Sequence, residues 1–366
     1  MSRPTEITID LNALVANTQY AQSLSPDSQT VAVIKADAYG HGAIEIAKAL
    51  QQQVTMFAVS SLEEAMELRE QGIMLPVLLL EGCFSADELI IASNQRFSVV
   101  MHNHEQVQML HVLGIEQRID VWIKVDTGMH RLGFPIEKVV DVFSQLKAAA
   151  QVDNVILMTH LSVADEQHNP FTESQLNHFA QCRKNIETQF DVAMPCSIAN
   201  SAGISAWPSA RSQWNRPGIM LYGVSPFMHD DTMQSQLQPV MTFTSKVIAL
   251  RNVLKGESVG YGNTWQAKED SVVATVAVGY GDGYPRNAKL GTPVLVNGQR
   301  AKLCGRVSMD MITIDVTGLI DIKIDSEVEL WGKNLLANEV ATWANTIGYE
   351  LVTRMPKRTR RRIISL

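Results

Sequence analysis

The sequence predicts an α/β protein. A (β/α)8 TIM-type barrel is expected over residues 1–233, followed by a predominantly β C-terminal domain over residues 234–366. Three observations carry this expectation. Eight short apolar runs alternate with helix-like segments through the first part of the chain, as do strands buried on both faces and covered by helices. From about residue 235 that alternation gives way to β-rich runs punctuated by glycine. Finally, 366 residues, 46% of them hydrophobic, are enough to fill a barrel and a second core. A doubly wound open sheet would give a similar alternation and stays open as the alternative.

The apolar runs read, in order, "VAVIKA", "MFAVS", "VLLLEG", "FSVVM", "VWIKVD", "VILMTH", "CSIAN" and "IMLYG". Each has the length of a strand, and most are rich in Val, Ile or Leu. After the first run, "AIEIAKALQQQ" repeats apolar residues three and four apart, the spacing of one helix face. "SLEEAMELREQG" does the same and ends on Gly72, a helix stop. "FTESQLNHFAQCRKNIETQ" is a longer helix with Thr172 at its N-cap. The polar stretch "HDDTMQSQLQP" places the domain boundary near residue 233. Beyond it, "TFTSKVIALRNVLKGESVGYG", "SVVATVAVGYGDGY", "TPVLVNGQRAKLCGRVS" and "MITIDVTG" read as strands, with Asn297-Gly298 as a tight primed turn. One late helix is expected near residues 337–347.

Composition excludes several function classes. A formal net charge of −7 disfavours nucleic acid or an anionic membrane as the main partner. The local exception, "KRTRRR" at 357–362, reads as a solvated basic tail or a set of surface ion pairs. No uncharged apolar run approaches the roughly 18 residues of a membrane span. The start, "MSRPTEITIDLNALVANTQ", lacks the apolar core of a secretory leader. Cys83, Cys182, Cys196 and Cys304 lie far apart with no C-x-x-C pair, as expected of reduced thiols rather than disulfides or a zinc site. A cytoplasmic protein is expected, with no metal. "HNH" at 102–104 lacks a third ligand at useful spacing. "GYGDGY" at 279–284 runs into Pro285 rather than a helix, so it reads as a turn and not a nucleotide loop.

In a barrel the chemistry sits at the C-terminal ends of the strands. Those ends carry Lys35, Lys124 with Asp126, His160, Asn200 with Ser201, and Arg216 with Gly218 and Ile219. Each has a bland explanation: His160 as a core histidine, Lys124 as the ion-pair partner of Asp126. Their chemistry nevertheless converges. Ser201, Tyr39 and the backbone at Gly218-Ile219 can donate to a phosphate, and a lysine at a strand end can form a Schiff base with a carbonyl cofactor. Pyridoxal phosphate has both an aldehyde and a phosphate, which would explain why Lys35 is placed where a strand leaves the core.

Eight motifs then point to a family: "VIKADAYGHG", "WIKVDTGMHRLG", "THLSVADE", "IANSAG", "NRPGIMLYG", "VGYGNTW", "VGYGDGYPR" and "GRVSMDMITID". In this order, over nearly the full chain, they resemble the alanine racemase family. These are fold-type III pyridoxal phosphate enzymes, in which each active site of a homodimer draws on both subunits. The resemblance implies pyridoxal 5'-phosphate as cofactor, alanine as substrate, and two-base interconversion of its L and D forms. Supply of D-alanine for peptidoglycan synthesis is the role expected, with breakdown of D-alanine as a nutrient left open, since one reversible reaction serves both.

Carried over by residue, the resemblance makes Lys35 the cofactor-bearing lysine and the base on the D side. Tyr261, from the other subunit, is the opposing base. Arg216 faces the pyridine nitrogen, and His160 lies between Arg216 and Tyr261. Tyr39, Asn200, Ser201, Gly218 and Ile219 form the phosphate side, with Tyr222 beside them. Arg131 and the Met309 backbone contact the substrate carboxylate. Lys124 matches a position that is often carbamylated and pairs with Arg131. Tyr280, Arg286 and Asp310 stand at the entrance. One departure is expected: Lys357 stands where some members place a tyrosine. A non-catalytic pyridoxal-phosphate-binding protein would lack the β-domain and Tyr261. A decarboxylase of the same fold type would call for a cysteine base, and Cys304 alone is in the second domain. A broad-specificity amino-acid racemase is disfavoured by the missing leader.

Overall fold

The computed structural model describes residues 3–112, 118–228 and 231–364. Two compact units alternate along the chain. One comprises Thr18–Ala38 and Gly42–Leu221; the other comprises Met1–Asn17, Tyr39–His41 and Tyr222–Leu366.

The first unit is the expected parallel barrel. Its strands run in the order Trp214–Asn215, Gln29–Val33, Met56–Val59, Val77–Leu79, Ser98–Met101, Ile119–Asp126, Val152–Met158 and Cys196–Ser197, every pairing parallel. The central ones are buried on both faces, which explains their unbroken Val, Leu and Ile runs. Polar bonds draw the two end strands together: Ser197 Oγ donates to the Trp214 carbonyl at 2.9 Å, and the Arg216 amide to the Ala199 carbonyl at 3.0 Å.

Two sequence expectations need correction here. "IMLYG" is not the eighth strand: Ile219–Tyr222 is a buried 3-10 turn, and the two-residue strand Trp214–Asn215 takes that place. An apolar run signals burial, not backbone conformation, and here Pro217-Gly218 precedes a turn. Nor is Thr172 the N-cap of the long helix. That helix spans Phe171–Phe190, Thr172 is buried inside it, and Asn169 Oδ1 accepts from the Phe171 amide at 3.0 Å.

The second unit is antiparallel apart from one pairing. Met241–Val253 pairs with both Ser271–Val276 and Glu327–Trp331, so the sheet containing Ile312–Asp315, Gln299–Leu303 and Pro293–Val296 returns on itself. Asn297 (φ 46°) and Gly298 (φ 78°) form the expected primed turn between Pro293–Val296 and Gln299–Leu303. The late helix is Ala337–Trp343, and a second, Gly348–Thr353, follows it.

Where the sequence expectation places one cut near residue 233, this unit also takes in the chain's beginning. Glu6–Asp10 pairs antiparallel with Met241–Val253 and parallel with Arg360–Ile364. The basic stretch 357–362 is therefore not a free tail. It enters a strand, and its arginines form ion pairs: Arg358, just before the strand, with Asp282 and Asp310, and Arg362, within it, with Glu6. Residues 229–230, at the start of the polar stretch at the boundary, lie outside the described residues. Among the described residues, no helix is long and apolar enough to cross a membrane.

Candidate active site

Parallel strands deliver their following residues to one end of the barrel. Lys35, His160, Asn200, Ser201 and Arg216 follow a strand within a few residues, Asp126 ends one, and Lys124 lies near the end of the same strand, just before Asp126. Lys35 comes directly after the buried Val33-Ile34 and opens an unusual turn. Ala36, Asp37, Ala38 and Tyr39 have φ between 51° and 55°, and Gly40 has φ 80°. A left-handed turn made of residues with Cβ atoms costs roughly 1–2 kcal/mol per residue. Such strain persists only where the surroundings over-determine it, and it gathers at functional sites.

Around Lys35 the barrel rim is cationic. Lys124 is only 8% exposed, and its amine is pushed down to about 8, first by burial and then by Arg216, Arg131 and Lys35, with Glu81 opposing. His160 is held well below the ordinary imidazole value by burial and then by Arg216, Lys124, Arg131 and Lys35, so it is neutral at pH 7. Arg131, Lys124 and His160 line one small hollow with Thr159. Asp126 does not balance Lys124. Its carboxylate accepts from the Gly128 and His130 amides and lies 2.9 Å from His130 Nδ1. These bonds outweigh burial and hold it below the usual range.

Arg216 is 4% exposed, and burial lowers it to about 10, still charged at neutral pH. It donates to Ser197 Oγ at 2.5 Å and to the Thr159 and Ile198 carbonyls at 2.7 and 3.1 Å. These acceptors are all neutral, and a guanidinium has five N–H donors, so two remain for another group. Ser201 Oγ accepts from the Gly218 and Met220 amides at 2.9 and 3.4 Å, which leaves its own proton to give. The Gly218 amide is thus engaged with Ser201, while Ile219 opens a 3-10 turn whose first amide has no partner within the turn. Asn200 Oδ1 caps the helix Ser201–Ala206 through the Gly203 amide at 2.9 Å.

In the other unit, the Tyr39 ring lies 5.0 Å from that of Tyr222 and 6.2 Å from that of Tyr349, and burial pushes its phenol up to about 12. The C-terminal residues against this turn are Tyr349 and Val352-Thr353. Gly40 lies so close to the Val352 carbonyl that a Cβ would clash, while Lys357 is exposed. Tyr349 escaped the sequence reading because it lies within "GYELVT", an ordinary helical stretch.

Tyr261 is 69% exposed on a turn flanked by Gly260 and Gly262, both with positive φ. Met309 is 53% exposed, and Tyr280 and Arg286 border a separate hollow with Arg354. The Tyr280 and Gly281 amides bond the Ser308 and Met309 carbonyls at 3.0 and 2.9 Å, joining two loops. Beneath them the buried Asp282 receives Arg3 and Arg358, and Arg358 also reaches Asp310 at 2.8 Å. The sequence marks Arg358 only as part of a basic stretch and Asp282 only as part of a turn; their pairing, and that of Asp282 with Arg3, was not foreseen, because no local pattern reports bonds across 76 and 279 residues.

The barrel-side donor set fits pyridoxal phosphate. Of the charges acting on Lys124, three are cationic and one is a carboxylate, an excess that calls for an anionic ligand. Ser201 offers a hydroxyl proton, Arg216 offers donors free of any carboxylate, and Lys35 offers an amine for the aldehyde.

Comparison with known proteins gives the same reading. The family models "Alanine racemase, N-terminal domain" and "Alanine racemase, C-terminal domain" match residues 9–226 and 240–363. An alanine racemase of Pseudoalteromonas atlantica is 51% identical over the full length of both chains. A catabolic alanine racemase of Pseudomonas putida is 44% identical, covering 97% of this chain and 98% of its own. The crystal structure of the biosynthetic alanine racemase from Pseudomonas aeruginosa superposes with a TM-score of 0.94 at 42% identity, covering 100% of each chain.

Proposed function

The chain belongs to the alanine racemase family of pyridoxal-phosphate-dependent isomerases, and from that premise we propose which of its residues carry the interconversion of L- and D-alanine. The observation that supports the assignment best is the cationic rim around Lys35, where buried Lys124 faces Arg216, Arg131 and Lys35 against the single carboxylate of Glu81.

Lys35 carries the cofactor through its Nζ, and Tyr39, Asn200, Ser201, Gly218 and Ile219 hold the phosphate side, Ser201 by its free hydroxyl proton. The bound cofactor serves as the electron sink that lets Cα of alanine lose its proton. Stereoinversion requires that a proton leave one face of Cα and return to the other, so two groups must flank it. Lys35 Nζ would hold and return the proton on the D side, and Tyr261 Oη of the partner subunit would do so on the L side. The exposed, glycine-flanked Tyr261 suits a group offered to a second copy. Arg216 keeps its proton at working pH, so it would donate to the pyridine nitrogen and would leave that nitrogen unprotonated. This limits the sink and favours quick return of the proton. His160, neutral, orients Arg216 and Tyr261 without adding charge.

Arg131 and the Met309 amide of the partner hold the substrate carboxylate, and Tyr280, Arg286 and Asp310 shape the entrance for a small side chain. Lys124, its amine lowered to about 8, is nucleophilic enough to add carbon dioxide with loss of a proton, and the resulting carbamate pairs with Arg131. The working form is a cytoplasmic homodimer. Its role is to supply D-alanine for peptidoglycan, a reading supported by the likeness to the biosynthetic enzyme of P. aeruginosa; the catabolic P. putida relative marks the alternative.

Chiral chromatography of L-alanine incubated with the protein and pyridoxal phosphate tests the reaction. An equal mixture of enantiomers is expected. Unchanged L-alanine with cofactor bound at Lys35 would sink the substrate assignment, and release of carbon dioxide would point to a decarboxylase.

A further inference from the structure

We propose that Glu64 is a positioning residue for Lys35: its carboxylate fastens the left-handed turn that presents the Lys35 amine to the cofactor. The inference rests on the reading of Lys35 as the cofactor-bearing lysine. It starts from the four consecutive residues, Ala36 to Tyr39, held at left-handed φ without a glycine among them. Local bonds set the curl of this segment. The Ala38 amide reaches the Ile34 carbonyl at 2.8 Å, the Gly42 amide reaches the Asp37 carbonyl at 3.0 Å, and the Ala43 amide reaches Asp37 Oδ1 at 2.8 Å. Two bonds to the next strand and helix fix where the turn stands on the barrel rim: the Ile34 amide, just before Lys35, reaches the Ala58 carbonyl at 2.9 Å, and just after Lys35 the Ala36 amide donates to Oε1 of Glu64, 28 residues further along the chain, at 2.6 Å.

Helix capping explains only half of this geometry. Glu64 is the third residue of the helix Leu62–Glu70, whose N-cap is Ser61, and its Oε2 reaches back to the Ser60 amide at 2.8 Å. That bond is a capping-box reach displaced by one residue, to the amide before the N-cap. The other oxygen leaves the helix for the amide directly after Lys35. One carboxylate thus ties the end of the Met56–Val59 strand to the turn that follows the Gln29–Val33 strand, two neighbours in the barrel. A glutamine could cap equally well, but its single oxygen cannot accept from both amides in this way. Lys35 sits one peptide bond from the tie, so slack in the turn reaches its side chain directly.

The test uses the full chain carrying Glu64→Gln, stripped of cofactor and titrated with pyridoxal phosphate by absorbance, with borohydride trapping of the covalently held fraction. Expected is a thermal midpoint of the cofactor-free protein within a few degrees of the parent. Cofactor affinity should fall roughly ten- to hundredfold, the worth of one charge-assisted hydrogen bond, and the trapped fraction should fall with it. Adding Ala36→Gly, which relaxes the left-handed position, should restore part of that affinity. Parent-like capture by Glu64→Gln would overturn the proposal, as would a loss that Ala36→Gly leaves untouched. If Glu64→Gln does not fold, hydrogen exchange at the Ala36 amide of the unaltered protein decides: protection supports the tie, and exchange at an open-loop rate overturns it. Lys35→Ala separates the two readings. Covalent trapping that survives this change would remove Lys35 from the cofactor, and the proposal with it.

Discussion

The two units present their candidate residues in opposite ways. On the barrel rim Arg216, Lys124 and Ser201 are 4%, 8% and 3% exposed, and the Arg216 and Ser201 side chains are held by hydrogen bonds. On the β-rich unit Tyr261 and Met309 are 69% and 53% exposed, on loops whose backbones are firmly bonded while the side chains point outward. A buried, bonded group has already given up its rotamer freedom, so it can meet a ligand at little further entropic cost. An exposed group still has that freedom to lose. The contrast suits a site whose cofactor half is built within one chain and whose other half is completed by a second copy.

The strongest attack on that contrast mixes two inactive variants. Lys35→Ala should lose racemisation by at least ~10³-fold, and Tyr261→Phe by ~10²- to 10⁴-fold, the usual worth of a positioned acid or base. Unfolded together and refolded as a mixture, they should recover about a quarter of the parent activity, since half the dimers are mixed and each of those keeps one intact site. If Tyr261 served the site of its own chain, no mixed dimer would contain an intact site and activity would stay absent.

A second attack targets what holds the exposed loops. Asp282 is 1% exposed between Arg3 and Arg358 and accepts from the Gly279 amide at 2.8 Å. Asp282→Asn should lower unfolding stability by roughly 2–3 kcal/mol, less than for a fully buried pair because both arginines keep contact with water. Denaturant titration of the cofactor-free protein measures it. A loss below about 0.5 kcal/mol, the range of ordinary surface changes, would mean that the backbone bonds alone hold these loops.

Much of the barrel rim was legible in the sequence, because a polar residue ending an apolar run has a local signature. Lys35, Lys124, His160, Asn200 and Arg216 were found this way. What escaped depends on pairings that no local window contains. The strand Glu6–Asp10 joins the far end of the chain, with partners in Met241–Val253 and Arg360–Ile364. The left-handed turn has no glycine at Ala36–Tyr39 to announce it, and Glu64 reads as a surface glutamate of an amphipathic helix. "IMLYG" misled because a buried turn and a buried strand use the same residues. Tyr261 and Met309 were singled out only through the family resemblance, since an exposed tyrosine or methionine carries no physical signal by itself.

Lys124 offers a subtler test of the preformed half. In the unfolded chain its amine binds a proton below 10.5; in the folded, cofactor-free protein it does so only below about 8. Folding therefore loses stability as pH falls from 10.5 towards 8, and the full deficit persists below that. The deficit is about 3 kcal/mol in order of magnitude. Lys124→Met should accordingly stabilise the cofactor-free protein at pH 7, by an amount that fades as pH approaches 10.5. Carbamylation would replace the unwelcome cation by an anion, so the gain should shrink in bicarbonate-rich buffer. Equal stability of parent and variant at pH 7 in carbonate-free buffer would show that the rim does not strain Lys124.

The smallest expected effect separates support from binding within the barrel rim. Asn200 caps the helix Ser201–Ala206 through its Oδ1, and loss of such a cap costs roughly 1 kcal/mol. Asn200→Ala should therefore lower stability by about that amount, whereas Asn200→Ser, which can still cap, should cost little. If Asn200 acts on the phosphate only by holding Ser201 at the helix start, the two variants should weaken cofactor binding in proportion to their stability losses. Asn200→Ser would then bind almost as the parent does. If instead its amide donates to the phosphate, Asn200→Ser should fold normally yet bind the cofactor more weakly. Absorbance titration beside thermal melts of the same samples distinguishes the two, and a stable but weakly binding Asn200→Ser would place a direct phosphate contact where the capping geometry by itself calls only for support.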